Sequence, residues 1–403
     1  IRKNITITGQ STNRDYTVLK GGKQNVLRLE TGFAEIKNLT IKNEGDIWKA
    51  PEDAESEGES ERNERFSFNA LHSAVLVRSP MCGFENCLFT SETGHGFVVD
   101  QKDSSPIVTR CTAKNCGAMG FRISDGASGT FTDCEASGNA LAGIEVLDSG
   151  TNPTVEKCRS TNQRVGIWVN SGASGTFTDC EASGNALSGI EVCDSGTNPT
   201  VEKCRFTNNQ QAGIGVCDGA SGTFTDCEAS GNALSGIDVS DSGTNPMVEN
   251  CRFTDSKEGG GIFVHDGASG TFTDCEASGN ALSGIAVRDS GTNPTVEKCR
   301  FTNNQQVGIG VGFGASGTFT DCEASGNALS GIGVRDSGTN PTVEKCRFMD
   351  NQLAGIAVIQ GASGTFQENT LSGNAKGNWY VDDDISPICI DNTPNYDDDS
   401  IFK

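Results

Sequence analysis

Histidine, tryptophan and tyrosine each occur only three times in these 403 residues, and cations are outnumbered, 31 Lys and Arg against 53 Asp and Glu. Three histidines, His72, His95 and His265, leave few candidates for imidazole-based catalysis. The formal net charge of −22 argues against recognition of DNA, RNA or an anionic membrane through bulk charge. No run of about twenty apolar residues occurs, so no membrane-spanning helix is expected. No leader-like stretch opens the chain either; Asn4-Ile5-Thr6-Ile7-Thr8 reads as a strand. Hydrophobic residues, at 34%, are too few for a large packed globule, and 51 glycines fill much of the gap. A thin-walled solenoid, which needs one narrow apolar column, tolerates this composition.

What the sequence has in abundance is repetition. Near-identical units begin at Gly126, Gly172, Gly219, Gly267, Gly314 and, incompletely, Gly361, so their lengths run from 46 to 48 residues. Each unit contains the motif G-I-x-V twice, with its isoleucines at 144, 167, 190, 214, 237, 262, 285, 309, 332 and 356, separated by 23–25 residues. Short β-branched runs alternate with Gly, Asn, Asp and Pro, which specifies strands and turns and no helical period. Three strands and three turns per coil fit 23–24 residues. The expected fold is all-β: a right-handed parallel β-helix solenoid whose sequence repeats every two coils.

Side-chain sizes explain the two-coil period. In odd coils the second strand carries Phe131, Phe177, Phe224, Phe272 or Phe319, and the third carries Ala136, Ala182, Ala229, Ala277 or Ala324. Even coils reverse the order, with Val155, Val201, Val248, Val296 or Val343, then Phe206, Phe253, Phe301 or Phe348; Ser160 is the one exception. A large residue in one column is thus offset by a small one in the other. Charges alternate similarly, from Glu135 and Arg159 to Glu323 and Arg347 after the Cys position, and from Asp133 and Lys157 to Asp321 and Lys345 before it. Twelve cysteines, from Cys87 to Cys346, form a column that Asn369 continues; Cys82, Cys116, Cys193, Cys217 and Cys389 lie off it. Stacked Cβ atoms sit nearer 5 Å apart than the ~3.8 Å a disulfide wants, so these read as buried free thiols. No CxxC or Cys/His spacing points to a metal, and the thiols favour a reducing compartment.

The expected organisation is irregular first coils over 1–46, an acidic loop insertion over 47–66, divergent coils over 67–125, regular repeats over 126–374 and a C-terminal cap over 375–403. Over residues 67–374 the chain resembles the pectate-lyase-like right-handed β-helix superfamily and its carbohydrate-binding and sugar-hydrolase repeats. It is most similar to the β-helix of F-box-only substrate adaptors, through the S-G-N turn (Ser137-Gly138-Asn139), the G-I/V-x-V strand and the N-P pair (Asn152-Pro153). Where that family tends to have Asn at the bend, this chain has Cys. The resemblance implies fold; no F-box-like helical segment or zinc-finger pattern accompanies the coils, so no ubiquitin-ligase role is carried over.

Enzymes on the fold it resembles work on the outer face of the first sheet, here the x of G-I-x-V. That column brings Glu145, Trp168, Glu191, Asp238 and Phe263 to one face, with His265 two residues beyond. Carboxylates two coils apart would lie roughly 9–10 Å from each other, within the range of an inverting glycosidase, and the aromatics would stack on sugar rings. Gly94-His95-Gly96 resembles a polygalacturonase G-H-G, but the repeat demands glycine there anyway. Aspartates at the turn after the first strand (Asp125, Asp148, Asp194, Asp218, Asp241, Asp266, Asp289, Asp336) would hold Ca²⁺ or, more commonly, cap their own tight turns. No catalytic residue, cofactor or metal is expected. The near-identical repeats, with no exceptional coil, favour a non-catalytic, elongated scaffold for a protein partner or larger assembly. A carbohydrate-binding module or polysaccharide-active enzyme is the alternative, with a glycan as ligand.

Overall fold

In the computed structural model the described residues are 5–9, 17–22, 24–30, 32–44 and 73–395, and the expected 47–66 insertion and His72 fall outside them. Every described element is a strand, and each pairs in parallel with the strand one coil away, forming a right-handed β-helix. The chain divides into two compact units, Ile1–Ala186 and Leu187–Lys403. In the regular repeats the first sheet is built from the G-I-x-V strands, the second from T-F-T or T-V-E, and the third from E-A-S or R-F-T, with Arg159-Ser160-Thr161 in the first unit.

Register in the first unit runs Phe121↔Ile144 and Ile144↔Ile167, Val108↔Phe131 and Phe131↔Val155, and Ala113↔Ala136 and Ala136↔Ser160. In the second unit, Val296↔Phe319↔Val343 runs beside Phe301↔Ala324↔Phe348. All six of these side chains are fully buried, so the size alternation fills the core as expected. The glycine before each isoleucine is a packing requirement: a Cβ on Gly308 would lie 2.6 Å from the Ala324 methyl and 2.8 Å from the Gly331 carbonyl. Beyond Ala375 the sheets continue with Trp379–Val381 and Ile388–Ile390. Trp379 takes an isoleucine position and meets Phe366 edge-on at 5.8 Å.

Two ladders line the corners. At the cysteine corner the backbone N–H of Cys134 donates to Cys158 Sγ at 3.4 Å, and the pairs Cys227/Cys251, Cys275/Cys299 and Cys322/Cys346 repeat the geometry. Cys346 N–H donates instead to Asn369 Oδ1 at 2.9 Å, so a thiol and an amide oxygen play one role. Burial pushes the Cys111 thiol well above its ordinary pKa, and that of Cys116 up to about 12. The opposite corner carries an asparagine ladder that the sequence reading did not single out. There Asn280, Asn304, Asn327 and Asn351 each accept the previous coil's backbone N–H at 3.0–3.1 Å.

Two expectations need correction, and the off-column cysteines add a bond that the sequence reading did not address. Cys193 and Cys217 are joined by a disulfide, leaving 15 free cysteines. They stand at the turn after the first-sheet strand, where their Cα atoms approach to 4.7 Å, within disulfide reach. The charge column after the Cys does pair between coils: Arg159–Glu181 at 3.5 Å, Arg252–Glu276 at 3.7 Å, Arg300–Glu276 at 3.5 Å, and Arg347–Glu323. The column before it behaves differently. Lys203, Lys298 and Lys345 hold the glutamate immediately preceding them in the chain at 2.6–2.7 Å. Asn250, which replaces lysine in this column, donates across coils to Asp226 Oδ1. Finally, Asp148 and Asp241 direct their carboxylates at the coil before them, where the expectation was a cap on their own turns. Asp148 Oδ2 accepts the Asp125 N–H, and Asp241 Oδ2 accepts the Asp218 N–H, so each caps the coil before. Their own contribution to the turn is tolerance of positive φ, 53–76° along the column.

Candidate functional site

The six candidate residues fall into two places. In the first unit, Glu145 is buried and its Oε2 accepts from Arg122 Nη1 at 2.6 Å. Burial holds its carboxyl above the usual range, with Arg122 working against the shift. The expectation of an outward-facing, ligand-ready carboxylate is therefore not met at Glu145. Two six-residue strands, Ala142–Leu147 and Val165–Asn170, pair there, and Trp168 is its register neighbour. Trp168 is half-buried, and its indole N–H is enclosed without a hydrogen-bond acceptor. His95 is fully buried, and its Nδ1 accepts the Met119 N–H at 3.3 Å, which makes it part of the core.

The other four lie in the second unit. Glu191 and Asp238 flank Gly215 on successive coils, and Phe263 follows Asp238. His265 sits between two carboxylates, with Nε2 3.1 Å from Asp238 and Nδ1 2.7 Å from Asp266, and its ring stacks on Phe263 at 4.2 Å. The coil that supplies Phe263 and His265 is the exception the repeats were expected to lack. It carries Met247 for Thr, Asn250 for Lys, and Ser256-Lys257-Glu258-Gly259-Gly260 in place of the Asn- and Gln-rich turn. Ser256 also interrupts the asparagine ladder, and its hydroxyl is buried without a partner.

Two groups bring cation-donor atoms within 4.8 Å of one another: His265, Asp266 and Asp289, and Cys193, Cys217 and Asp218. The sulfurs of the second are committed to the disulfide, and in the first the His265–Asp266 hydrogen bond already uses the atoms an ion would need. The first group is therefore read as an ion-paired histidine. Burial, the largest single influence, disfavours the charged ring, but Asp238 and Asp266 outweigh it and raise the His265 pKa. A raised pKa stabilises the fold below the unfolded value, about 6.5, and that contribution disappears as pH rises through the folded value. Wild type should therefore exceed His265→Gln in urea midpoint at about pH 5.5 and lose the advantage by about pH 9. An equal difference at both would show that the charge is not responsible.

Beyond Phe263 the outer column becomes small for four successive coils, Ala286, Gly310, Gly333 and Ala357, before Tyr380 closes the series. The short side chains leave a groove of about 530 Å³. Val307, Leu329 and Leu353, which precede the floor residues in the chain, line it together with Arg288, Arg335 and Ile359, which follow them; Lys376 also contributes. Arg288 lies 5.5 Å from the Phe263 ring centroid and 5.7 Å from that of Phe313, and Arg335 stacks on Phe313 at 5.0 Å. Each such contact contributes about 0.5–1 kcal/mol at an exposed site. Phe313 stands where other units of the array have Asp, Ser or Gln, at φ 57°, a left-handed conformation that a bulky residue adopts only under strain.

The family described as the right-handed β-helix region matches residues 5–160, 120–253 and 235–393. The chain belongs to the right-handed β-helix family. It is 29% identical over 150 residues to the F-box protein dre-1 of Caenorhabditis elegans, a match covering 36% of this chain and 16% of that protein. The chain thus corresponds to about a sixth of that relative's length. Among solved structures it is similar to the periplasmic alginate epimerase AlgG, with a TM-score of 0.52 and 12% identity over 76% of this chain and 78% of that one. At that identity the likeness shows the fold alone.

Within this β-helix the sequence reading selected the large outward residues and missed the small ones. The signal was present: among the outward positions from 145 to 357, four consecutive ones, 286, 310, 333 and 357, hold only Gly or Ala, and Phe313 breaks the aspartate column beside them.

Proposed function

We propose that this chain is a non-catalytic β-helix scaffold that holds a partner protein, with the groove over Ala286, Gly310, Gly333 and Ala357 as a principal contact. The observation that carries the reading is the character of the lining. Gly, Ala, Val and Leu form most of it, and its charged members are Arg288, Arg335 and Lys376. Such a surface grips a ligand by apolar burial and fixed cations, and it contains no carboxylate or imidazole pair to move a proton. The partial match to an F-box protein is compatible with a role in holding proteins, and residues outside this match make up most of that relative.

A second reading rests on Asp238, Phe263 and His265, where an imidazole between carboxylates adjoins an aromatic face. It would make the chain a carbohydrate-binding module or polysaccharide-active enzyme. Placing a photocrosslinking amino acid at Ala357, and separately at exposed Met247 on the second sheet, separates the two in cells that make the protein. The scaffold reading expects discrete protein adducts at 357 and none at 247. Equal labelling at both positions, or turnover of pectin, alginate or chitin by the purified chain, would overturn it.

A further inference from the structure

Resting on the scaffold reading, the geometry points to a definite ligand chemistry for the groove: an extended peptide segment carrying carboxylate side chains between large apolar ones.

Charge is the first argument. The whole chain has a formal net charge of −22, yet the charged residues of the groove are Arg288, Arg335 and Lys376. The acidic surface at large attracts basic ligands and repels acidic ones, and a local cationic strip reverses that preference and draws carboxylates to the groove. The arginines are also well prepared for carboxylates. Arg288 and Arg335 place their guanidinium faces against Phe263 and Phe313, which restrains the side chains. Arg335 also holds Asp336 Oδ2 through Nε at 3.7 Å, so its terminal N–H groups and those of Arg288 are the ones a ligand carboxylate would meet.

Apolar surface is the second. Leu329 is 39% exposed, Leu353 40% and Tyr380 50%; Leu234 and Leu282 are similarly exposed at the repeat position of Leu329, but only at the groove do such leucines border a floor of Gly and Ala. Together with Val307 they offer anchorage for Leu-, Ile- or Phe-sized side chains, each contributing by removal of area from water. A sugar chain would need many hydroxyl partners, and Ser283, Gln306 and Ser330 are the polar uncharged residues in the lining.

Dimensions are the third. From Phe263 to Tyr380 the column takes five coil steps, which at ~4.8 Å each is about 24 Å, the length of roughly seven extended residues. The floor strands are already paired on both sides, so the ligand cannot add as a strand. Recognition runs through side chains: apolar ones toward Leu329 and Leu353, acidic ones toward Arg288 and Arg335.

The test is to pan a random peptide display library against the purified full chain and to measure synthetic peptides from it by fluorescence anisotropy. We expect a consensus with two or more Asp or Glu among Leu, Ile or Phe, and weaker binding at high salt. Affinity should fall about tenfold or more in the double variant Arg288→Glu/Arg335→Glu and in Ala357→Trp, which plugs the floor from an existing Cβ. Thermal melts should match wild type; where Ala357→Trp melts early, Ala286→Phe serves as the plug. Basic consensus peptides, no enrichment, or binding indifferent to the plug would overturn the inference. Neutral apolar peptides displaced by the plug would overturn the acidic assignment and leave the scaffold reading standing. Binding of a polyuronate in place of any peptide, lost with the plug, would overturn both.

Discussion

Asn327→Ala is expected to destabilise the second unit by about 1–3 kcal/mol. Asn327 is fully buried and its side chain makes four hydrogen bonds. Its Nδ2 donates to the Phe301 carbonyl at 3.0 Å and to Asn351 Oδ1 at 3.0 Å; its Oδ1 accepts the Asn304 N–H at 3.0 Å and the Asn304 side-chain amide at 3.1 Å. Alanine strands the Asn304 N–H where water does not reach, and takes one of two partners from the Phe301 carbonyl, which keeps its place in the strand ladder. A stranded group costs about 1–3 kcal/mol. Solenoids unfold as coupled neighbours, so urea titration should be read with hydrogen exchange at Asn304, whose amide should lose its protection first. A loss below about 1 kcal/mol would mean that the ladder follows from the fold and does not support it.

Phe319→Ala should cost about 3–5 kcal/mol, the range for emptying a buried aromatic site. The ring is fully buried, with Val296 and Val343 as its register neighbours. The alternation makes a sharper prediction. Ala324→Phe alone places three phenylalanines in succession, with Phe301 and Phe348, and overpacks the coil. Combined with Phe319→Val it converts an odd coil to an even one at similar total volume. The double variant should therefore lose less stability than the two singles added together, by about 1 kcal/mol or more. Strict additivity in calorimetry would show that the two columns do not share space.

Much of this was legible in the residues because a coil of fixed length, stacked in register, projects every side chain into a column. The Phe and Ala sizes, the Glu135/Arg159 alternation and the cysteine row all follow from that rule, and the paired strands reproduce them. The lysine column was misread because register gives only Cα neighbours. Lys203 holds Glu202, its neighbour in the chain, which coil-to-coil register does not encode. The Cys193–Cys217 disulfide was likewise outside what register shows, as the corner brings their Cα atoms to 4.7 Å.

The candidate site divides in the same way. The sequence by itself determined which residues face outward from the first sheet, because alternation in a strand is a property of the chain. It could not decide their surroundings. Glu145 and Asp238 occupy the same position of the motif, yet Glu145 is buried against Arg122 while Asp238 stays half-exposed and holds His265. Burial and pairing depend on the side chains of adjacent coils, some 23–25 residues away along the chain. The groove is the clearest case: Ala286, Gly310, Gly333 and Ala357 are individually unremarkable small residues. Only stacking turns four missing side chains into one continuous hollow, and only there do Arg288, Phe313 and Arg335 meet as its wall.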